Sequence, residues 1–434
     1  MGILEQISNG MNTGREQFRR IMSETEAVTD KPELGSSQLA LGDNTDYMKS
    51  LIRQGYSGAF RLIYIDPPFF TRSKFNATVS VKDASGKGHR IRHLVFDDRF
   101  ERSLECYIEN LSVRILLMKE LLADDGLLWI HLDWHSSHYV KLILDELMGE
   151  KNFVNEIIWC YKSGGSGKKH FSRKHDTILV YSKTKKYYID IPEEKSYNRG
   201  FKPYNFKGVR EYCDERGWYT LVNMKDVWNV DMVGRTSYER TGYATQKPLE
   251  LMNRIIKAGS REGDLVGDFF CGSGSFLESA ENLGRKWAGC DNEKLAVSMA
   301  RKRLVHSGAD FEFIQNDGEA REHGRISLIV SEAQDLESGR RLLKCKLDEF
   351  VPDIETGYIQ TADRKYIEEV IEQDPMQLVD HIIVYGEDGI SSIIEDDFDD
   401  MTIVCDRNAE IVAVDVFGRE YVAEIMIDGG IGRI

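Results

Sequence analysis

Apolar residues along this chain fall into short runs broken by Gly, Pro and Asp, alternating with stretches in which they recur every three or four positions. The first kind reads as buried strands and the second as helices. Residues 38–42 predict a short strand, 44–54 a helix with Asp43 at its cap, and 62–65 a second strand. Residues 104–122 predict a helix, 125–126 a turn, 127–132 a strand and 136–148 a further helix. Strands are predicted at 156–161 and 177–182, a helix at 249–258 and a strand at 265–270. A helix at 275–283, a strand at 287–290 and a helix at 293–304 follow. Such alternation predicts an α/β fold, a doubly wound and mostly parallel sheet.

Two of these strands run into turns with chemistry of their own. Strand 62–65 is stopped by Asp66-Pro67-Pro68-Phe69, which puts Asp66 at the carboxyl end of a core strand, the edge where open α/β sheets bind ligands. Proline has no N–H and a fixed φ, so carbonyls stand beside Asp66 without a competing donor. An exocyclic amino group has two hydrogens to give, one to Asp66 and one to the Pro67 carbonyl, and Phe69 can stack on its ring. Taken alone, the turn is equally a strand end with a capping Asp. Strand 265–270 runs into Cys271-Gly272-Ser273-Gly274 and a helix opening at Ser275. Glycines there let the backbone approach a ligand, and the helix start offers free N–H groups. The next strand ends at Asp291, a carboxylate suited to ribose hydroxyls. That pattern fits a dinucleotide as well as S-adenosylmethionine.

Asp66-Pro67-Pro68-Phe69 upstream, with Thr245-Gln246-Lys247-Pro248 and Asp268-Phe269-Phe270-Cys271-Gly272-Ser273-Gly274 downstream, resembles the amino-group DNA methyltransferases over residues 38–304. The order, catalytic motif first and cofactor motif last, is that of the permuted β group, which includes type III modification subunits. The resemblance implies a Rossmann-like methyltransferase fold, S-adenosyl-L-methionine as cofactor, and methylation of adenine N6 or cytosine N4 in duplex DNA after base flipping. Asp66 favours adenine, since cytosine N4 enzymes more often carry Ser there. Asp66, Pro67, Pro68 and Phe69 are the implied catalytic residues. Asp43, Lys247, Asp268, Phe270, Gly272, Ser273, Gly274, Ser275 and Asp291 are the implied cofactor-binding set. Lys247 is expected to place a positive charge near the cofactor carboxylate, the alternative being a solvated lysine. Asp43 is expected near the cofactor adenine, or as a helix cap only. Phe269 departs from the family, which usually has Pro at that point. Duplex DNA, a homodimer and a restriction subunit are the partners implied, and no metal. A cytosine N4 enzyme, an RNA methyltransferase and a non-catalytic DNA-binding subunit remain as other readings.

Composition changes this picture in one respect, which is charge. The chain of 434 residues has a net charge of −15, unfavourable for a DNA enzyme until it is divided. Residues 311–434 hold 11 Lys and Arg against 30 Asp and Glu, so the acidity belongs to the tail. Residues 161–240 hold 17 basic against 10 acidic residues with fourteen aromatics interleaved, which is what phosphate contacts and base stacking need. Lys168, Lys169, Arg173 and Lys174 are the candidate DNA contacts, and 183–240 the candidate target recognition region. The seven cysteines are scattered and never in C-x-x-C spacing, which suggests neither a disulfide framework nor a zinc site. His131, Asp133, His135 and His138 fit a strand end and a helix cap as well as a metal site. No run of transmembrane length and no signal peptide is seen, so a cytoplasmic protein is expected.

The domain division expected is a helical extension at 1–34, with an amphipathic helix at 15–24, a methyltransferase domain at 35–310, and a small, acidic, β-rich domain at 311–434. Residues 71–92 read as a long polar loop beside the catalytic turn. The glycine run 163–167 lacks P-loop spacing and is expected to be a flexible loop near the flipped base. Because both motifs lie upstream, removing the tail after Gly308 is expected to leave the catalytic sheet complete.

Overall fold

The protein is described here by a computed structural model over residues 1–25, 35–82, 86–98, 103–162, 167–234, 236–243, 245–315, 324–354, 356–386, 389–406, 408–427 and 430–432. The chain opens with α1 (Ile3–Ser23), whose buried Ile7 and Met11 join the core; the helix is longer than its amphipathic segment predicts. Then come β1 (Ser37–Leu41), α2 (Asn44–Arg53) and β2 (Phe60–Ile65), the strand that carries the first motif. A hairpin of β3 (Lys74–Lys82) and β4 (Gly88–Asp97) follows, then α3 (Leu104–Leu121), β5 (Leu122–Leu132), α4 (Ser137–Leu144), β6 (Phe153–Cys160) and β7 (His175–Ser182). The turn expected at 125–126 is absorbed into β5, with a register shift where β5 meets Phe60 and Leu62 of β2.

Beyond β7, β8 (Glu193–Tyr197), β9 (Tyr212–Asp214) and β10 (Gly217–Asn223) form a separate antiparallel sheet within the candidate recognition region. β11 (Val227–Asn229) returns to the main sheet. The second motif is built from α5 (Leu249–Gly259), β12 (Leu265–Asp268), α6 (Ser275–Asn282), β13 (Lys286–Asp291) and α7 (Lys294–His306), and β14 (Phe311–Gln315) closes the series. The main sheet has the order β11-β6-β7-β5-β2-β12-β13-β1-β14. β7 is antiparallel to both its neighbours and every other pairing is parallel. This is the doubly wound, mostly parallel α/β fold expected. Both faces of its centre are covered, so the central strand is apolar: Leu62, Ile63, Tyr64 and Ile65 are all buried.

Three expectations need correction. Residues 71–92 are not a loop, since most of them form the β3–β4 hairpin. Residues 311–315, placed outside the catalytic domain by a boundary at 310, are β14, the edge strand paired in parallel with β1. The acidic tail is also not small: β15 (Arg325–Asp335), β16 (Arg341–Val351), α8 (Thr361–Gln373), β17 (Val379–Gly386), β18 (Gly389–Ile394), β19 (Met401–Cys405), β20 (Glu410–Asp415), β21 (Glu420–Ile427) and β22 (Gly430–Gly432) make an eight-stranded sheet with a helix. Most of the glycine run, 163–166, lies outside the described residues.

The acidic sheet packs against α7. Arg301 of α7, 1% exposed, reaches Glu420 and the Tyr385 hydroxyl, each at 2.6 Å. Lys302 pairs with Asp380 at 2.9 Å and with Glu395. The negative charge of the tail is thus partly matched by the basic face of one catalytic-domain helix.

Candidate active site

Four neighbouring parallel strands end in carboxylates on one edge of the sheet. In spatial order β2, β12, β13 and β1, Asp66 follows Ile65, Asp268 and Asp291 are last residues, and Asp43 comes two residues after Leu41. The register pairs Gly267 with Ile63, Asp268 with Gly289 and Leu41 with Asp291, so the four carboxylates stand in a row. Parallel pairing brings the carboxyl ends of distant segments to one edge, which is how the two motifs meet.

Each carboxylate is compensated differently. Burial, with Asp66 and Asp291 nearby, pushes Asp268 well above the usual carboxylate range, although Phe270 N donates to it at 3.0 Å. Asp291 is pushed up to about 6, burial being the main cause, while accepting from Gly272 N at 2.8 Å and Glu293 N at 3.0 Å. Asp43 caps α2 through Thr45 N at 2.7 Å and also accepts from Arg114 at 3.1 Å. Arg114 in turn holds Asn44, whose amide donates to the Phe269 carbonyl at 2.7 Å. Asp66 pairs through Oδ2 with Lys247 Nζ, while its Oδ1 is buried with no hydrogen-bond partner.

Lys247, the expected neighbour of the cofactor carboxylate, thus pairs with Asp66 of the Asp-Pro-Pro-Phe turn. Pro67 is buried, Pro68 exposed and Phe69 half-buried. Just beyond, Phe70 and Arg72 take left-handed φ values of 59° and 58°, held by the stacking of Phe70 on Tyr107 at 5.2 Å and of Arg72 on Phe70 at 5.0 Å. Non-glycine residues in that region mark a turn fixed by its surroundings.

The glycine turn is built for close approach. Gly272 and Gly274 have φ of 49° and 76°; a Cβ on Gly272 would lie 3.3 Å from the Tyr243 ring, and one on Gly274 2.8 Å from Ala300. Ser273 and Ser275 are buried, and Arg303 donates to the Ser275 hydroxyl at 2.8 Å, so that hydroxyl is already engaged. Phe269, where the family usually has Pro, fills the core edge-on to Phe60 and Tyr47, at 5.8 and 6.2 Å. Tyr64 of β2 stacks on Phe276 of α6 at 5.3 Å and 14°, which ties the two motifs together.

A family model described as DNA methylase, of the N6/N4 amino class, matches residues 60–302, from the start of β2 into α7. The chain belongs to this DNA methylase family. Among its relatives is the type II methyltransferase M.EcaI of Enterobacter cloacae, 30% identical over 324 residues, covering 61% of this chain and 68% of that one. The Mod subunit of the type III restriction-modification enzyme EcoP15I from Escherichia coli is 25% identical over 187 residues, 39% of this chain and 28% of that one. A solved structure of an M1.HpyAVI–SAM complex aligns with a TM-score of 0.38 at 22% identity, over 62% of this chain and 99% of that chain.

The cofactor of this methylase family is S-adenosyl-L-methionine. The residues present fit such a group: two left-handed glycines form a cradle, with the Tyr243 ring packed against Gly272, and carboxylates flank it on both sides. A ligand that is cationic and carries hydroxyl donors suits that row of acceptors.

One cluster of the methylase escaped the sequence reading. His131 of β5, fully buried, bonds Tyr64 OH at 3.0 Å and Asp176 at 3.3 Å, and Tyr161 OH donates to Asp176 at 3.1 Å. Its ring stacks under Phe69 at 6.1 Å and 23°. Burial pushes Asp176 up, but its hydrogen bonds with His131 and Tyr161 and the nearby Lys247 outweigh it and hold the carboxyl below its ordinary value. Sequence offered only one hint, a histidine in an otherwise apolar strand. His135 pairs instead with Asp133 at 2.6 Å.

Lys168, Lys169 and Arg173 are exposed and Lys174 half-buried, in the segment that leads into β7. β7 runs opposite to β5, so this segment starts at the same sheet edge as Asp66. Arg173 stacks on Trp134, just beyond the end of β5, at 3.8 Å, and Phe171 beside it is 99% exposed. Among the described residues no helix is long and apolar enough to cross a membrane.

Proposed function

We propose that this DNA methylase is a site-specific adenine N6 methyltransferase that acts on a base rotated out of duplex DNA, in restriction-modification or epigenetic marking. The observation that carries the reading is the unsatisfied Oδ1 of Asp66, a buried acceptor beside a half-buried aromatic ring and next to the glycine cradle. A buried acceptor without a donor is costly, and an exocyclic amino group entering beside Phe69 supplies one. Asp66 and the Pro67 carbonyl take the two amino hydrogens, which keeps the nitrogen lone pair from conjugating into the ring. Phe69, backed by His131, stacks the base. Rotation out of the duplex removes the geometric bar to N6. Gly272, Gly274 and the neighbouring Ser273 form the turn against which the cofactor is held, Asp291 accepts from its ribose, Phe270 and Asp268 lie beneath it, and Asp43 borders its adenine. Bound S-adenosyl-L-methionine supplies an electrophilic methyl group on a sulfonium. The protein contributes orientation and a fixed electrostatic environment. Asp in place of Ser at position 66 supports adenine over cytosine.

Lys168, Lys169, Arg173 and Lys174 are assigned to DNA phosphates, and the antiparallel sheet β8–β10 to target recognition. The experiment is single-molecule sequencing of DNA from cells expressing this chain, with a tritiated-methyl assay on purified protein. N6-methyladenine in one sequence motif is expected, and Asp66→Ala is expected to abolish transfer while cofactor binding by calorimetry persists. Methyl groups on cytosine N4, incorporation into RNA in preference to duplex DNA, or near-normal turnover by Asp66→Ala would each overturn the reading.

A further inference from the structure

The β3–β4 hairpin leaves the sheet directly after the catalytic turn and comes back to it. Its return is fastened where Asp98 accepts from Thr71 N and from Thr71 Oγ1, the latter at 2.6 Å. Alternate residues face opposite ways. Ala77, Val79, Val81, Ile91 and Val95 are buried in one apolar cluster with the C-terminal sheet and α8. Polar bonds lock the same contact: Arg92 N donates to Asp363 at 3.1 Å, Gln360 N donates to the Arg92 carbonyl at 3.3 Å, and His93 forms a bridge with Ile359. The hairpin is therefore fixed along most of its length by the C-terminal domain.

Its other face carries Thr78, Ser80, Lys82, Arg90 and Arg92, all exposed. The register sets Ser80 opposite Arg90, Thr78 opposite Arg92 and Lys82 opposite Gly88, so hydroxyls and cations alternate across the ribbon. Between 76 and 82 and between 88 and 94 this face has no carboxylate of its own. Among the described residues, Asp363 approaches Arg92 to 4.0 Å, and Arg92 remains 56% exposed. At about 3.4 Å per residue, nine residues of β3 extend about 30 Å, close to one turn of B-form DNA. A two-stranded ribbon also fits a major groove.

We infer that this hairpin is a second DNA-contacting surface, in which Lys82, Arg90 and Arg92 neutralise phosphates of the duplex, and that the C-terminal domain serves as its mount. This rests on the duplex-DNA reading above. It also gives the acidic domain a use that its charge conceals: the domain holds the cationic ribbon by its apolar face and its acids engage α7 on another side. Thr78 lies near the loop that bears Lys247, since a Cβ on Gly242 would stand 3.4 Å from the Thr78 carbonyl. The ribbon thus comes close to the loop that bears Lys247.

The test uses the full chain and a duplex oligonucleotide, with fluorescence anisotropy across a salt series. Each neutralised phosphate contributes about 0.9 to the slope of log affinity against log salt. The triple variant Lys82→Gln/Arg90→Gln/Arg92→Gln is expected to bind at least about tenfold more weakly and to lower the slope by about 2 to 3. Its melting temperature and cofactor affinity are expected to match those of the wild type. Arg90→Gln alone is expected to lower the slope by about 1, which keeps the inference testable if the triple variant folds poorly. Wild-type affinity and slope in both variants would overturn the inference and leave the proposed function standing. A wild-type chain with no affinity for duplex DNA would overturn both.

Discussion

Lys247 Nζ donates to Oδ2 of Asp66, 181 residues away in sequence, and leaves Oδ1 as the open acceptor of the catalytic turn. In the free protein one face of the carboxylate is thus spoken for and the other is not. The pairing holds the Asp66 side chain in one orientation, so that an incoming amino group meets an oxygen already aimed. Lys247 also lies 5.8 Å over the Phe69 ring, so it touches both groups proposed to meet the base.

Removing Lys247 is expected to be worse than removing both partners. The two side chains are 11% and 18% exposed, and breaking a largely buried pair leaves an uncompensated charge. Lys247→Met should destabilise the fold by about 1–3 kcal/mol, and adding Asp66→Asn should restore part of that. Urea denaturation of the two single variants and the double variant measures the coupling. A coupling below about 0.3 kcal/mol would mean the pair contributes nothing beyond the separate residues.

Asp291 predicts a pH dependence of cofactor binding. Its carboxyl, pushed up to about 6, lies above the ordinary value of about 3.9. Hydroxyls donating to it favour the charged form, so the complex titrates lower than the free protein. Affinity should be full above about pH 6 and fall as pH drops below it. For the fold itself the sign is opposite: a raised carboxyl pKa lets stability gained at low pH be lost as pH rises from about 4 to 6. Calorimetry between pH 5 and 8 should show the dependence in wild type and its loss in Asp291→Asn, which should also bind roughly tenfold more weakly. A wild-type profile that is flat across pH 6 would remove Asp291 from the ribose.

The glycine turn predicts a second, pH-independent effect. Gly274→Ala forces a side chain into a left-handed backbone position and to within 2.8 Å of Ala300 on α7. Strain of about 1–3 kcal/mol is expected, with α6 displaced and cofactor affinity lost at every pH. Gly272→Ala meets a ring at 3.3 Å instead, so a smaller loss of stability is expected there. Equal melting temperatures for Gly274→Ala and wild type would show that the helix pair absorbs the methyl group.

The strand ends were legible in sequence because each follows an apolar run stopped abruptly by Pro, Gly or Asp. That is why Asp66, Asp268, Asp291 and Asp43 could be named before their row on one edge was visible. What the pattern could not convey was partnership at long range. Alternation at Ala77, Val79 and Val81 was present, but the apolar surface that completes it comes from residues past 325, so the segment read as a polar loop. The pairing of Lys247 with Asp66 is defined by folding alone and could not be read from their positions. The partners of His131 could not be read because neither Asp176 nor Phe69 is near it in sequence. The β14 strand was missed for the opposite reason: it follows a Gly and opens an acidic stretch, so composition suggested a boundary where the sheet adds its last strand.

That edge strand decides what happens when the tail is removed. A chain ending at Gly308 loses β14 and so leaves β1, which carries the Asp43 end, as an unpaired edge. It also uncovers Leu295, part of the apolar cluster shared with the C-terminal sheet, and strips Arg301 of Glu420 and Tyr385. Such a chain is expected to be insoluble or to melt well below the full protein. The contribution of the ionic contact can be separated from that of the strand. Arg301→Met leaves Glu420, 13% exposed, without its partner and should cost about 3–5 kcal/mol, whereas Arg301→Met/Glu420→Leu should recover most of it. Thermal melts of the three full-length proteins measure this directly. A chain truncated after Gly308 that unfolds cooperatively at the wild-type temperature and still transfers methyl groups would show that the acidic domain is an appendage, not a mount for the hairpin and a cover for α7.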